Sequence, residues 1–371
     1  MHYFIYSTAD SWFTSGSKYA GISSSNAQQN FGQDEILEVK KEFMDNSLKY
    51  QSRAVLNFKG TDLTSISSSI ADGTITNPTF KLRLYEAEGV SAMSTEYSLA
   101  AQALSESWDE GIGKFGDSPA TTIGCSWLNR SNTSTEDGVG DTTWTTAGGK
   151  VLAESGSTQS FSYESPDVNM DISDMVKGWF SGSISQNNGI LLRFSGSQET
   201  DSTTTGKLKF FSRNTNTIYP PKLEVVWDDH VAALGDTTGS LGALDVTGTQ
   251  DNFVYVKGLR NRYKETEKVK FRIGARPRVI PKTVSTTYND VTSSFIPESS
   301  GSYSIIDAST GEVLVPFDTY SKLSCDVSGS YFNQWLNTFQ PNRVYKILIK
   351  VLYNDNQEII YDDNFDFKVV R

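Results

Sequence analysis

The chain has 371 residues, of which 37% are hydrophobic and 12% aromatic, with a formal net charge of −11 and a pI of about 4.8. This length predicts two or three domains, each able to bury a core. The acidic charge argues against non-specific binding to nucleic acid or to an anionic membrane, and only two histidines and two cysteines leave little material for His-based catalysis, a zinc site or a disulfide scaffold.

Short apolar runs separated by Ser, Thr, Gly and Asn follow one another from the N-terminus, a pattern typical of an all-β protein. The alternation is clearest where Phe80, Leu82 and Leu84 alternate with Lys81 and Arg83. Such a strand buries one face and exposes the other. Further strands are predicted at 3–6, 35–39, 53–58, 189–194, 207–211 and 223–227.

One segment departs from this pattern. Between Asp171 and Gly182, apolar residues recur at steps of three and four, which predicts a short amphipathic helix. Asp171 or Ser173 can cap its start, and Gly182 can end it. We expect Trp179 to pack this helix across an open end of a β-sandwich.

The middle of the chain predicts a division into domains. Asp, Ala, Gly, Thr and Ser crowd the region from Asp228 to Asp251, so we predict a linker at 230–250 between domains at 1–229 and 251–371. The second domain, with about 120 residues and six or seven short strands, has the size of an immunoglobulin-like sandwich. Its strands are predicted at 253–259, 268–273, 302–306, 313–317, 344–353 and 359–370, with a helical turn at 331–336.

Six motifs follow one another through the first domain. They are Asn30-Phe31-Gly32 with Ile36-Leu37-Glu38-Val39, Arg53-Ala54-Val55-Leu56-Asn57-Phe58, Trp108-Asp109-Glu110, Trp127-Leu128-Asn129-Arg130, the helix at 171–179, and Pro221-Lys222-Leu223-Glu224-Val225. In content and order, residues 1–229 resemble the DNRLRE domain family, jelly-roll β-sandwiches similar to some carbohydrate-binding modules. The resemblance implies a jelly roll in which Trp108, Trp127 and Trp179 belong to the core.

A second set of motifs lies in the last domain. These are Pro316-Phe317-Asp318-Thr319, Ser324-Cys325-Asp326, Tyr331-Phe332-Asn333-Gln334-Trp335, Phe339-Gln340-Pro341 and the run from Asp362 to Arg371. They resemble the C-terminal region of virion structural proteins of T4-like marine phages. The resemblance implies assembly in the host cytoplasm and release by lysis. The sequence agrees, because no signal peptide is visible and no apolar run approaches the ~20 residues that span a bilayer.

Two groups of residues are candidate contact sites. Trp12 and Phe13 lie in a Ser- and Gly-rich stretch and are predicted to form an exposed contact that stacks on a sugar ring. Basic residues cluster at Arg260, Arg262, Lys264, Lys268, Lys270, Arg272, Arg276 and Arg278. This stripe is either a set of solvated strand faces or a docking surface for an acidic neighbour. The candidate docking residues are Arg260, Arg262, Lys270, Arg272, Arg276 and Arg278.

Motifs for catalysis are weak. Gly111 to Gly116 match the pattern G-x-G-x-x-G, but no apolar strand precedes them and no helix follows, so we predict a loop rather than a dinucleotide site. Asp109 and Glu110 would point to opposite faces of a strand and cannot flank one bond. We therefore predict that the protein is not an enzyme.

Carboxylates are the remaining candidate metal ligands. A structural Ca²⁺ ion needs six to eight oxygens. The candidate donors are Asp10, Asp34, Asp171 and Asp174. None has the spacing of a Ca²⁺-binding loop, so we predict no cofactor.

Two hypotheses on function follow. The first is a bacteriophage virion structural protein of the neck, tail or baseplate, which attaches to other virion proteins and is present as a symmetric homo-oligomer or in multiple copies. The alternative is a carbohydrate-binding or receptor-binding module on the particle, or a secreted glycan-binding protein. Neither nucleic acid nor a membrane is an expected partner.

Overall fold

The computed structural model describes residues 1–16, 26–44, 47–88, 93–135, 139–162, 167–184, 188–247, 251–279, 284, 292–354 and 356–371. Strands are the main regular structure among these residues, with a few short helices, which confirms the predicted all-β sandwich class. The chain divides into two units. We call Phe4–Val225 the N-terminal unit, and Val226–Arg371 together with Met1–Tyr3 the C-terminal unit.

Twelve of the first fourteen strands build two main sheets, and the other two pair with each other. The fourteen strands are β1 (His2–Tyr6), β2 (Ala9–Thr14), β3 (Ile36–Met44), β4 (Ser47–Asn57), β5 (Thr79–Leu84), β6 (Glu86–Glu88), β7 (Glu96–Leu104), β8 (Asn129–Ser131), β9 (Thr142–Thr143), β10 (Val151–Ser162), β11 (Val168–Asp171), β12 (Ile190–Phe194), β13 (Gly206–Phe211) and β14 (Lys222–Val226). One sheet has the order β1-β14-β5-β11, and the other β10-β7-β12-β4-β3-β13-β6, with β2 paired to β4. Phe80, Leu82 and Leu84 of β5 are buried, as their alternation predicts.

Helix α2 (Ser173–Ser181) lies where the sequence predicts it. The carboxylate of Asp171 accepts a hydrogen bond of 2.9 Å from the Ser173 amide, and Gly182 ends the helix with a φ of 75°. Trp179 is buried, as expected.

Helix α1 (Thr61–Ala71) was not predicted from the sequence. Most of its positions are Ser, Thr or Ile, which have modest helix propensity, and it buries only Leu63 and Ile66. Short 3₁₀ turns are present at Asn26–Gln28, Gly196–Glu199 and Leu336–Thr338.

The C-terminal unit contains a second pair of sheets. Its elements are α3 (Gly235–Thr238), β15 (Asn252–Lys257), β16 (Arg262–Lys264), β17 (Lys268–Pro277), β18 (Gly301–Asp307), β19 (Val313–Val315), β20 (Ser324–Asp326), β21 (Gly329–Trp335), β22 (Val344–Leu352) and β23 (Glu358–Val370). One sheet has the order β15-β17-β21-β20 and the other β16-β23-β22-β18-β19. These orders correspond to the A-B-E-D and G-F-C sheets of an immunoglobulin-like sandwich.

Two side-chain features reinforce that assignment. The Tyr345 hydroxyl, near the start of β22, donates a hydrogen bond of 2.9 Å to the carbonyl oxygen of Gln340. This is the tyrosine corner that occurs at the same place in immunoglobulin-like domains. Tyr303 of β18 stacks on Phe332 of β21 with ring centroids 3.8 Å apart, so the two sheets are joined through an aromatic core.

The predicted helical turn at 331–336 is wrong, because residues 329–335 form β21. Phe332 points into the core, while Tyr331 and Trp335 lie on the opposite face. Successive side chains therefore point to opposite faces, which is the period of a strand.

The segment 230–250, predicted to be a linker, contributes to the C-terminal unit in the part that the structure describes. Leu244 and Val246 belong to its hydrophobic core, and the amide of Leu244 bonds to the carbonyl of Phe295. Residues 248–250 lie outside the described residues. The two cysteines, Cys125 and Cys325, are buried free thiols.

Candidate binding surfaces

Trp12 and Phe13 do not form the exposed contact predicted from the sequence. They lie in β2, which pairs with β4, and their exposed fractions are 5% and 0%. Phe13 belongs to a cluster with Trp108 and Trp144, which are supplied by the long segment after β7. That segment covers the face of the sheet on which Phe13 lies. The prediction of an exposed contact at Trp12 and Phe13 is therefore wrong.

The core prediction for the other tryptophans agrees with the structure. Trp108 and Trp179 are buried, and Trp127 is half-buried against the same cluster as Phe13. The guanidinium of Arg53 lies 4.9 Å from the centre of the Trp127 ring.

Trp12 nevertheless lines a groove on the N-terminal unit, with a volume of about 660 Å³. Its ring stacks on Phe31, with centroids 4.0 Å apart and planes at 11°. Phe115 adds a third ring, 6.3 Å from Trp12, and 52% of its surface is exposed. We call this site the aromatic groove.

Polar groups surround the three rings of the aromatic groove. The Asp34 carboxylate accepts hydrogen bonds of 2.9 Å from the Trp12 indole and from the Phe115 amide. Burial raises the pKa of Asp34, and these two donors offset part of the rise. Burial also raises the pKa of Glu38 on β3. The remaining polar lining includes Gln33, Glu35, Lys40, Lys114, Asp117, Lys207 and Lys209. The groove therefore offers both donors and acceptors beside an exposed ring.

The buried side chain of Asn30 holds the loop that carries Phe115. Its Nδ2 donates to the carbonyls of Glu110 (2.7 Å) and Cys125 (2.8 Å), and its Oδ1 accepts from the Gly113 amide (2.8 Å). Gly111 has a φ of 84°, and a Cβ there would lie 2.3 Å from the carbonyl oxygen of Ile123. The G-x-G-x-x-G pattern is thus a loop, as predicted, and its first glycines permit close packing around Asn30.

Asp109 and Glu110 were predicted to point to opposite faces of a strand, but they lie outside the strands and have separate partners. Asp109 accepts a hydrogen bond from the Ser131 hydroxyl. Glu110 forms an ion pair with the Arg213 Nε at 2.8 Å and accepts a hydrogen bond of 3.0 Å from the Asp10 amide.

Asp10 is buried beside that ion pair, at 1% exposure. Its Oδ2 accepts a hydrogen bond of 2.7 Å from the Arg213 amide, whereas its Oδ1 has no hydrogen-bond partner among the described residues. Burial raises the pKa of Asp10 to about 7, and the nearby Glu110 charge adds to the rise. Because an isolated buried charge is costly, this carboxyl group is partly protonated near neutral pH.

The candidate Ca²⁺ donors do not converge. In the described ranges, no three His, Cys, Asp or Glu side chains come close enough to hold a metal ion. Asp10, Asp34 and Asp171 accept hydrogen bonds from protein donors.

A second surface covers the outer face of the sheet β15-β17-β21-β20. Val254, Phe271 and Phe332 point into the core, so their neighbours along each strand point outwards. We call these outward residues the basic–aromatic face: Phe253, Tyr255, Lys257, Lys268, Lys270, Arg272, Arg276, Tyr331 and Trp335.

Cations lie over aromatic rings across this face. The Lys268 Nζ is 4.6 Å from the centre of the Trp335 ring, and the Lys270 Nζ is 3.9 Å from that of Tyr331. The Arg276 guanidinium lies 5.1 Å from the Phe253 ring. These are cation–π distances, which fix the lysine and arginine side chains above the sheet.

Gly274 makes room for a ring on the basic–aromatic face. A Cβ at this position would lie 2.4 Å from Cζ of Tyr255, so the tyrosine ring lies flat across the glycine. Tyr255 in turn stacks on Phe253, with centroids 5.3 Å apart.

One carboxylate neutralises part of the positive charge of the basic–aromatic face. Asp326 of β20 receives two hydrogen bonds from the Arg272 guanidinium, at 2.8 and 3.0 Å, and lies 3.4 Å from the Lys270 Nζ. The bonds from Arg272 hold the pKa of Asp326 down at about 2. In the described part of the chain, Lys257, Lys268 and Arg276 form no ion pair.

The structure brings together three of the six candidate docking residues, namely Lys270, Arg272 and Arg276. Arg262 lies in β16 of the other sheet. Arg260 pairs with Glu267 and lies over Tyr263, and Arg278 pairs with Asp251 beyond the end of β17. The aromatic members of the face and Lys257 were not predicted as site residues, although the alternation Phe253-Val254-Tyr255-Val256-Lys257 indicates a strand with three of these side chains on one side.

Comparisons with known proteins add little to this geometry. No family model and no curated protein sequence matches the chain. Among solved structures, the adhesin domain of Epf from Streptococcus pyogenes is similar at 10% identity over 100% of this chain and 91% of that one, with a TM-score of 0.16. A score this low supports no argument about fold or function. The described helices are all too short or too polar to cross a membrane.

Proposed function

We propose that this chain is a structural protein of a bacteriophage particle, in the neck, tail or baseplate, which attaches through protein–protein contacts. It is assembled in the host cytoplasm and incorporated as a symmetric oligomer or in multiple copies. The phage assignment is supported by the motifs between Pro316 and Arg371 that resemble T4-like virion proteins.

The observation that carries the attachment role is the basic–aromatic face. It presents a row of cations above flat aromatic rings, on a chain whose formal net charge is −11. Exposed aromatic and arginine side chains are enriched at protein interfaces, and complementary charge orients the partner.

Mass spectrometry of purified phage particles tests the proposal. We expect peptides of this chain in particles that have been separated from the lysate by density, at a constant ratio to a major virion protein. Immunogold labelling then locates the chain on the particle. Peptides that stay with the soluble lysate and are absent from particles would overturn the phage assignment.

The aromatic groove favours a second candidate function, the binding of a glycan on the same particle. The observation that supports this function is the exposed ring of Phe115, which lines the groove together with the carboxylates of Asp34 and Glu38. A sugar presents hydroxyl groups to such donors and acceptors and an apolar face to a ring.

Glycan-array binding with matched variants tests this function. Phe115→Ala should remove binding, whereas Leu128→Ala, which truncates another exposed apolar side chain of the same unit, should leave it unchanged. Trp12→Ala is a poor probe because Trp12 is buried and stacked on Phe31. Binding to no glycan, or equal binding by both variants, would contradict the proposal.

A further inference from the structure

The spacing of the cations on the basic–aromatic face is regular. Lys268, Lys270, Arg272 and Arg276 lie on one side of the same strand, β17. Side chains on one side of a strand repeat about every 6.8 Å, so these four span about 27 Å in a line. The one gap in the series is Gly274, which is covered by the Tyr255 ring.

An extended polypeptide has the same repeat. Its alternate side chains also recur about every 6.8 Å, so a segment lying along β17 can place one acidic side chain near each cation in turn. A helix places its same-side residues at steps of three and four residues, with a rise that does not match this row.

One cation of the row already binds a carboxylate of this chain. Asp326 occupies the Arg272 guanidinium with two hydrogen bonds. Lys268 and Arg276, at the two ends of the row, form no ion pair with any described residue. The ends of the row are therefore available to carboxylates from another chain.

The aromatic rings add an apolar base to the same row. Phe253 and Trp335 lie under Arg276 and Lys268, so each end of the row combines a cation with a ring. Rings of this kind keep water away from a neighbouring ion pair, which strengthens the attraction between its charges.

We propose that the basic–aromatic face binds an extended acidic segment of a partner protein, with carboxylates at alternate residues along β17. The inference rests on the proposed attachment function and names the chemistry of the partner. Single-stranded nucleic acid also has a regular charge spacing, but the anionic group that this face already binds is a carboxylate, that of Asp326.

Fluorescence anisotropy with the full chain tests the inference. The probe is a labelled, end-blocked peptide of about ten residues in which Asp and Thr alternate, so that its carboxylates repeat along one side. The control peptide has the same composition with all Asp residues in one block. Single-stranded DNA of similar length is the third probe.

Two variants identify the surface. Lys268→Glu combined with Arg276→Glu reverses the charge at both ends of the row, and we expect about tenfold weaker binding of the alternating peptide. Lys59→Glu combined with Lys177→Glu is the matched control, because both lysines are exposed on the N-terminal unit and the pair carries the same charge change. The circular dichroism spectrum of each variant establishes that it is folded.

The inference is supported if the alternating peptide binds more tightly than the blocked peptide, and if only the variant of Lys268 and Arg276 loses this preference. Tighter binding of DNA, equal binding of the two peptides, no measurable binding, or equal losses in both variants would overturn it. These outcomes are independent of the particle experiment, because the chain can be present in virions and yet fail to bind an acidic strand.

Discussion

The replacement Asp10→Asn should change how the stability of the N-terminal unit depends on pH. Burial raises the pKa of Asp10 from an ordinary 3.8 to about 7 in the folded protein. Between these two values the folded state holds a proton that the unfolded state has released. Stability from this group is therefore fully present below about pH 4 and is lost as the pH rises through 7.

The size of the effect follows from the two pKa values. They differ by about three pH units, and each unit corresponds to about 1.4 kcal/mol, so the free energy of unfolding falls by up to about 4 kcal/mol across this window. Asparagine resembles the protonated carboxyl group in shape and lacks its charge. It can still accept the hydrogen bond from the Arg213 amide, which Asp10 accepts at 2.7 Å. We therefore expect the variant to be more stable than the wild type by about 1.5 kcal/mol at pH 5 and by about 4 kcal/mol at pH 9.

Urea denaturation at several pH values measures this difference. Tryptophan fluorescence mainly follows the N-terminal unit because five of the seven tryptophans belong to it: Trp12, Trp108, Trp127, Trp144 and Trp179. The difference between wild type and variant at each pH isolates Asp10 from other titrating groups.

An exposed carboxylate provides the control. Asp174→Asn removes the same charge from a fully exposed side chain and should show no such pH-dependent gain. Two results would refute the predicted pH dependence: Asp10→Asn and the wild type differ by the same amount at pH 5 and pH 9, or the variant loses stability relative to the wild type as the pH rises.

Two further substitutions test the packing of each unit. Glu199→Gln should lower the free energy of unfolding by about 3 kcal/mol. Glu199 is buried between Arg53 and Arg193, so its loss leaves two guanidinium groups without their counter-charge. A loss below about 1 kcal/mol in urea denaturation would contradict this prediction. Tyr345→Phe removes the hydrogen bond to Gln340 and should cost the C-terminal unit about 1.5 kcal/mol, read from its thermal midpoint. An unchanged midpoint would mean that this tyrosine corner contributes nothing to stability.

The sequence predicted the elements whose periodicity is set by their own neighbours. β5 alternates cleanly, and α2 has both an apolar stripe and end signals at Asp171 and Gly182. β21 was missed because a run of large residues from Tyr331 to Leu336 suits both a strand and a helical turn. Only pairing with β17 decides between the two.

The candidate sites were less predictable, because each depends on segments that are distant in the sequence. Trp12 appears exposed when only its Ser- and Gly-rich neighbours are considered, but Phe31 stacks on it from nineteen positions away. The basic stripe was visible as a cluster, yet alternation along β17 and pairing with β15 and β21 determine which of its members share a face. Predicting such a face requires the strand register.

The parallel pairing of β16 with β23 has a consequence for biosynthesis. Residues 262–264 pair with residues 368–370. The edge strand β16 of the sheet β16-β23-β22-β18-β19 therefore pairs with a strand more than a hundred positions away in the sequence. During translation, β16 cannot pair with β23 until residues 368–370 have emerged from the ribosome, whereas β15 can pair with β17 soon after both emerge. We therefore expect this unit to fold late and slowly, as is usual for sheets with non-local contacts, and a nascent chain stalled before residue 358 should remain sensitive to protease.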